Sequence, residues 1–245
     1  MAERERLDKL LSRLGYCSRK GVGAMLREER LLSKSGLKLR FDTKVTHEDI
    51  LLDGKGLDEE WLFLALHKPA GYVCTISGDE GATVFELVPN RFACRNPPLS
   101  TVGRLDKESS GLLLLTDDGD LIHRFTSPNK EVGKKYYVKL AKPLAGNEKE
   151  LFESGSFVLN DAESVREHKG YEQLKPVEMQ LISEQEAYLT LFQGRYRQVR
   201  RMFRAVLNEV VELHRVSIGA LQLDQLKVGE YRHLTREEVN SIIPS

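Results

Sequence analysis

No apolar run in this chain approaches the ~20 residues a membrane-spanning helix needs. The opening MAERERLDKLL is charged from its third residue and lacks the shape of a signal peptide, so the expected compartment is the cytoplasm. Cysteine is scarce. Cys17, Cys74 and Cys94 are odd in number and far apart, with no C-x-x-C pair, and supply neither a disulfide framework nor a zinc site. The six histidines are scattered without H-E-x-x-H or comparable ligand spacing. Walker A, G-x-G-x-x-G and G-x-S-x-G patterns are missing as well, which counts against nucleotide, metal and serine-hydrolase chemistry. No cofactor is expected.

Charge of one sign is also missing overall, with 37 basic and 37 acidic residues. The balance is uneven along the chain. Residues 1–47 carry twelve basic residues against six acidic ones, a net charge of +6, and residues 48–60 carry six acids and only Lys55. A local basic excess of this kind is what an RNA-facing surface needs. The 245 residues are 40% apolar and 30% charged, enough to bury a real core in one large domain or in a small and a medium one.

Leu7, Leu10, Leu11 and Leu14 recur at helical spacing, and Gly15 ends that helix. Ser18 is the expected N-cap of a second helix in which Val22, Met25 and Leu26 repeat the spacing. The cations Arg6, Lys9, Arg19, Lys20, Arg27 and Arg30 then fall on the exposed sides of the pair. Asp53-Gly54 signals a hairpin, and the acidic stretch Leu57–Glu60 reads as a linker. From Trp61 the texture changes to short apolar runs. Trp61–Leu66, Leu112–Thr116, Tyr136–Leu140, Val177–Ile182, Tyr188–Phe192 and Val210–Leu213 read as strands. Asp120–Phe125, Glu148–Glu153, Gln198–Val206 and Thr235–Ile243 read as helices, the last opened by the capping box Thr235-x-x-Glu238. Most connections lack helix-length crossovers, so an α+β fold with a mixed, mainly antiparallel sheet is expected.

The candidate chemistry centres on residues 103–119, GRLDKESSGLLLLTDDG. Leu112 to Leu115 reads as a fully buried strand, begun by Gly111 and ended by a turn at Asp117-Asp118-Gly119. That strand anchors a loop carrying Asp106 between Arg104 and Lys107. Nearby cations favour the ionised carboxylate, which suits a nucleophile or base, although an Asp between two cations can equally tie down a turn. GRYRQVRRMFR, residues 194–204, holds Arg195, Arg197, Arg200, Arg201 and Arg204 without an acid. A helix beginning near Arg197 turns Val199, Met202 and Phe203 inward and fans the arginines outward.

Residues 103–119 resemble the second motif of the RNA pseudouridine synthases, a pattern close to GRLDxxTxGLLLLTxDG, with Ser109 and Ser110 in the region where Thr is usual. His67-Lys68-Pro69-Ala70-Gly71 resembles the first motif and reads mainly as a structural turn. Lys134 and Tyr136 fit a Lys-x-Tyr, GRYRQVR resembles GR-x-HQ-[VIL]-[RK] with Arg197 where His is common, and residues 212–219 resemble L-x-R-x-x-IG. The segment 4–58 resembles the S4 RNA-binding module, most weakly between Leu31 and His47. Together they match the RsuA-type ribosomal RNA pseudouridine synthases, with an S4-like domain over 1–58 and a catalytic domain over 61–245. The resemblance implies Asp106 as the catalytic carboxylate held ionised by Arg200, Tyr136 packing on the target base, Leu213 on the site floor, Lys134 beside it and Arg104 filling the space an extruded base vacates. It implies RNA contacts from Arg6, Lys9, Arg19, Lys20, Arg27, Arg30, Arg195, Arg197 and Arg201. The expected substrate is 16S rRNA, free or in a small-subunit assembly intermediate. 23S rRNA and a non-catalytic assembly factor are the alternatives. A carboxylate-dependent hydrolase fails for want of a second suitable acid, and a monomer is expected.

Overall fold

The structure, a computed structural model, describes residues 4–126, 131–160 and 171–242. Residues 4–57 build their own small core. Strand β1 (Glu5–Arg6) leads into α1 (Leu7–Arg13), then α2 (Val22–Arg27), β2 (Leu31–Ser33), β3 (Lys44–Val45), β4 (Ile50–Leu52) and β5 (Lys55–Gly56). Leu7, Leu10, Leu11 and Leu14 are fully buried against Val22, Met25, Leu31, Val45 and Ile50, as the helical spacing requires. The second helix starts at Val22, later than Ser18 suggests, because Gly21 N–H closes a turn onto Ser18 O at 2.8 Å. Asp53 and Gly54 both take positive φ (51° and 78°) between β4 and β5, the hairpin turn expected of Asp-Gly.

The remainder adds β6 (Phe63–Lys68), α3 (Asn90–Ala93), β7 (Ser100–Val102), β8 (Ser110–Thr116), α4 (Gly119–Thr126), β9 (Lys134–Leu140), α5 (Glu148–Glu153), β10 (Val158–Asn160) and β11 (Tyr171–Gln173). It closes with β12 (Glu178–Ser183), β13 (Glu186–Leu191), α6 (Gln198–Ala205), β14 (Val210–Ile218), β15 (Leu221–Gln222), β16 (Tyr231–His233) and α7 (Arg236–Ile242). One large sheet runs in the order β12-β13-β9-β14-β8-β6-β16, with β7 beside β8 and β15 beside β14. Its described pairings are antiparallel except β14 against β8. This is the mixed, mainly antiparallel α+β sheet expected.

The leucine run works because β8 is covered on both faces. Leu112 and Leu114 pack with α4 and α7, and Leu113 and Leu115 pack beneath the segment from Cys74 to Leu105. The turn expected after it is a pair of anchors instead. Asp118 caps α4, its Oδ1 accepting from Asp120 N–H and Leu121 N–H at 3.0 and 3.1 Å. Asp117 is buried, paired with Arg95 (Nε–Oδ2 2.5 Å) and accepting from Leu62 N–H at 2.7 Å. Arg95 also donates to Glu59 O and Glu60 O at 3.1 and 2.6 Å. The stretch read as a linker is therefore clamped onto the large sheet. Asp58 pairs with Arg91 and donates its N–H to Tyr16 Oη at 2.8 Å. Asn96 N–H donates to Arg13 O at 2.9 Å, so the end of α1 abuts the segment around α3.

Strand β14 runs to Ile218, well past the expected end at Leu213. Its polar residues His214, Arg215 and Ser217 are spent on β8, β9 and the adjoining cleft rather than on solvent. Thr235 and Glu238 form the expected reciprocal cap on α7, with N···O distances of 2.9 and 3.2 Å. No helix among the described residues is long and apolar enough to cross a membrane.

Candidate active site

Asp106 sits on the loop from β7 to β8, half-buried in a cleft of about 630 Å³. The loop is held from below by Lys68, whose side chain is wholly buried at the end of β6. Its ammonium donates to Ser109 O at 2.6 Å, Asp106 O and Pro69 O at 3.1 Å, and Lys107 O at 3.4 Å. Gly71 N–H adds a bond to Lys107 O at 2.7 Å. The HKPAG turn thus has the structural role read from it, and Lys68 is its working part. Burial pulls the Lys68 ammonium down to about 8.

Strand alternation sets the next group. Lys134 and Tyr136 line the cleft, and Tyr137 bonds instead to Glu186 Oε1 at 2.8 Å, on the other face as expected. Burial, with Arg215 nearby, pulls Lys134 down to about 8. Leu213 lies buried in the cleft wall beside Val138. Arg104 is exposed at the rim.

Arg215 is the residue that motif reading left without a role. Its guanidinium, 2% exposed, donates to Leu112 O at 2.6 Å and to Arg104 O and Tyr136 Oη at 3.5 and 3.4 Å. It joins β8, the Asp106 loop and the aromatic of β9. Such a bridge has a local signal only in the L-x-R spelling, since its partners lie about a hundred residues away. Gly111 makes room for it. With φ at +106°, a Cβ there would meet Arg215 O at 2.2 Å.

Two expectations are corrected. Arg200 does not pair directly with Asp106. Its Nη1 donates to Val210 O at 2.9 Å and its Nη2 reaches Glu108 O at 3.5 Å, and no cation lies within 4 Å of the Asp106 carboxylate among the described residues. Nor is the Asp106 carboxyl held low. Burial raises its pKa, opposed first by Arg197 and then by Arg200 and Lys68. Arg197, in the left-handed region at φ 47° where it starts α6, reaches Glu108 at 3.5 Å.

The outward fan of arginines is also incomplete. Arg195 and Arg204 are exposed, but Arg201 is 7% exposed and turns back onto Tyr196 O at 3.4 Å. A guanidinium so buried lies off the exposed surface that an RNA phosphate reaches. In the N-terminal unit Arg19, Lys20 and Arg27 are exposed, and Lys9 is exposed with Glu5 at 3.9 Å. Arg6 and Arg30 are engaged by Asp8 and Asp53 through paired bonds of 2.8–3.1 Å. His214 bonds to Ser110 Oγ at 2.8 Å outside the cleft lining, in keeping with a structural role.

Asp106, on its braced loop, lines one cleft together with Tyr136, Leu213, Arg104, Arg195 and Arg197. The chain belongs to the RNA pseudouridylate synthase family, whose profile matches residues 62–205. It is 37% identical over 97% of its length to all of the ribosomal small subunit pseudouridine synthase A of Escherichia coli K12. With the enzyme of that name from Yersinia pestis the identity is 38%, over 97% of each chain. A crystal structure of a pseudouridylate synthase superposes with a TM-score of 0.65 at 33% identity, covering 97% of this chain and 99% of that one. The protein is thus an RNA pseudouridine synthase.

Proposed function

We propose that the protein isomerises a uridine of small-subunit 16S rRNA to pseudouridine, with Asp106 as the reacting carboxylate and residues 1–58 as an S4-like RNA-binding domain. The observation that carries the catalytic assignment is the braced loop, which holds Asp106 in the cleft that Tyr136 and Leu213 also line. The full-length likeness to small-subunit enzymes supports the choice of 16S RNA.

In the reaction the N1–C1′ bond breaks, the uracil turns, a C5–C1′ bond forms, and the C5 proton leaves as N1 gains one. The sum is an isomerisation. Asp106 can attack C1′, add to the base, or take a ribose proton, and each role requires the ionised form. Arg197 and Arg200 favour that form against the burial that opposes it. Extruding the base costs a few kcal/mol, and stacking on Tyr136 returns about 1–3 kcal/mol. Tyr136 Oη is also the group available to take the C5 proton, and Arg104 at the rim is available to fill the vacated stack. Arg19, Lys20, Arg27, Arg195 and Arg197 supply phosphate contacts that orient the RNA. The protein acts as a cytoplasmic monomer on free 16S rRNA or an assembly intermediate.

Pseudouridine mapping on 16S and 23S rRNA, free and in assembly particles, beside Asp106→Asn tests the reading. One new site in 16S that vanishes with the variant is expected. A site in 23S moves the substrate, and tight binding with no pseudouridine in either RNA overturns the enzyme in favour of an assembly factor.

A further inference from the structure

We propose that residues 34–44 form a second RNA contact, in which Phe41 stacks on an unpaired base while Lys34, Lys38 and Lys44 hold the adjoining phosphates. The proposal rests on the RNA-binding reading of residues 1–58 above and adds a base-stacking contact to the phosphate contacts of the helix pair.

The backbone of this segment is fixed, yet its side chains face solvent. Leu7 N–H and Asp8 N–H donate to Thr43 O and Phe41 O, both at 2.9 Å, which pins the segment to the start of α1. Leu39 alone among its large apolar residues turns toward the small core. Phe41 is 50% exposed and Leu37 46%, positions where a folded domain gains nothing from an apolar group unless something covers it. The Arg6 guanidinium stands 5.8 Å from the Phe41 ring centroid and is itself held by Asp8 through two bonds. An aromatic face with a guanidinium fixed beside it is a ready base-stacking platform.

Charge decides the kind of partner. Lys34, Lys38, Arg40 and Lys44 are exposed, against Asp42, which lies 4.0 Å from Arg40, and Asp49, whose carboxylate is bonded to Ser33 and Ser35 beside Lys34. Among the described residues no carboxylate comes within 4 Å of Lys34, Lys38 or Lys44. Elsewhere in the unit Arg13 and Arg30 are committed to Glu5 and Asp53, at 2.6 and 2.8 Å. Arg19, Lys20 and Arg27 are exposed on the helix pair, so residues 34–44 add a second group of accessible cations, and this one stands beside an exposed aromatic. Unpaired RNA matches that combination, giving phosphates to the lysines and a base to the ring.

The test is filter binding of a full-length 16S rRNA transcript over a series of KCl concentrations, with Phe41→Ala, Phe41→Leu and the double variant Lys34→Gln/Lys38→Gln. Both Phe41 variants are expected to bind about 5- to 150-fold more weakly, with an unchanged salt slope. The lysine pair should flatten the log–log slope by about 1.4. At subsaturating RNA, pseudouridine formation should fall in step with affinity in all three. Phe41→Leu keeps the apolar bulk, so a loss seen only in Phe41→Ala, accompanied by a lower thermal midpoint, assigns the ring to packing and overturns the proposal. Wild-type affinity in both Phe41 variants removes the ring from RNA binding and overturns it too. If the wild-type protein makes no pseudouridine, the catalytic reading fails while the binding arms still judge Phe41.

Discussion

The Lys68 ammonium reaches Ser109 O at 2.6 Å across 41 residues of chain, and three further carbonyls share it. A buried cation held by three carbonyls of the Asp106 loop and by Pro69 O fixes that loop's shape. Lys68→Met should cost about 3 kcal/mol, since the carbonyls lose their charged donor, and lower the thermal midpoint by on the order of 6–12 °C. With the amine titrating near 8, activity should fall as pH rises through that value and the donor set shrinks. Stability moves the other way. Between about 8 and the higher pKa of the unfolded chain, the unfolded state binds more protons, so this group's contribution to stability rises with pH. Parallel pH profiles of kcat and of the urea midpoint separate the two.

Asp106→Asn should abolish pseudouridine formation by at least about 10⁴-fold. Burial raises the carboxyl's pKa in the fold, so at neutral pH its ionisation works against folding. Stability from this group is present below the unfolded pKa and lost as pH rises through the folded one. The variant should therefore have a higher thermal midpoint than wild type at pH 7, and the difference should vanish in acid. The acid limb of kcat/KM should fall above the ordinary aspartate value. A variant less stable than wild type at pH 7 counts against a strained carboxylate.

Tyr136 offers two separable functions. Tyr136→Phe keeps the ring and should leave RNA affinity within about twofold, while kcat falls by roughly 10²–10⁴ if the hydroxyl takes the C5 proton. Tyr136→Ala should additionally weaken binding by about 1–3 kcal/mol. Single-turnover kinetics on 16S rRNA read both, and an unchanged kcat in Tyr136→Phe removes the hydroxyl from the chemistry.

Gly111→Ala puts a methyl 2.2 Å from Arg215 O in a backbone region hostile to other residues. It should cost about 4 kcal/mol or more and release the guanidinium that joins Tyr136 to the Asp106 loop. Gly119→Ala is the matched control, since it lies in α4 with open space at its Cβ and should be neutral or stabilising by up to about 1 kcal/mol. Urea unfolding of the pair distinguishes a close-packed crossing from a general intolerance of alanine.

These relationships divide by range. The four leucines of β8, the alternation that separates Tyr136 from Tyr137, the Asp53-Gly54 hairpin and the Thr235–Glu238 cap were all legible, because each is written within a few neighbouring residues. Asp117 read as a turn, Lys68 as part of a bend, and Arg215 as one letter of a motif. Their partners stand 22, 41 and 103 residues away in Arg95, Ser109 and Leu112, and periodicity carries no record of a contact that only the folded sheet creates. Arg200 erred in the opposite direction. A motif position fixed where it lies but not the carbonyls of Val210 and Glu108 that claim its donors.

The clamp that Arg95 and Asp117 close on residues 59–62 turns the two halves of the protein into the jaws of a caliper. A slack tether would let the basic unit grip any nearby phosphate while the cleft sampled many uridines. Under the proposed function, a fixed gap instead offers Asp106 only those uridines lying at one set distance and bearing from the gripped strand. Target choice then becomes a matter of surveying the folded RNA's three-dimensional shape, and a uridine of identical local sequence at the wrong span goes unmodified.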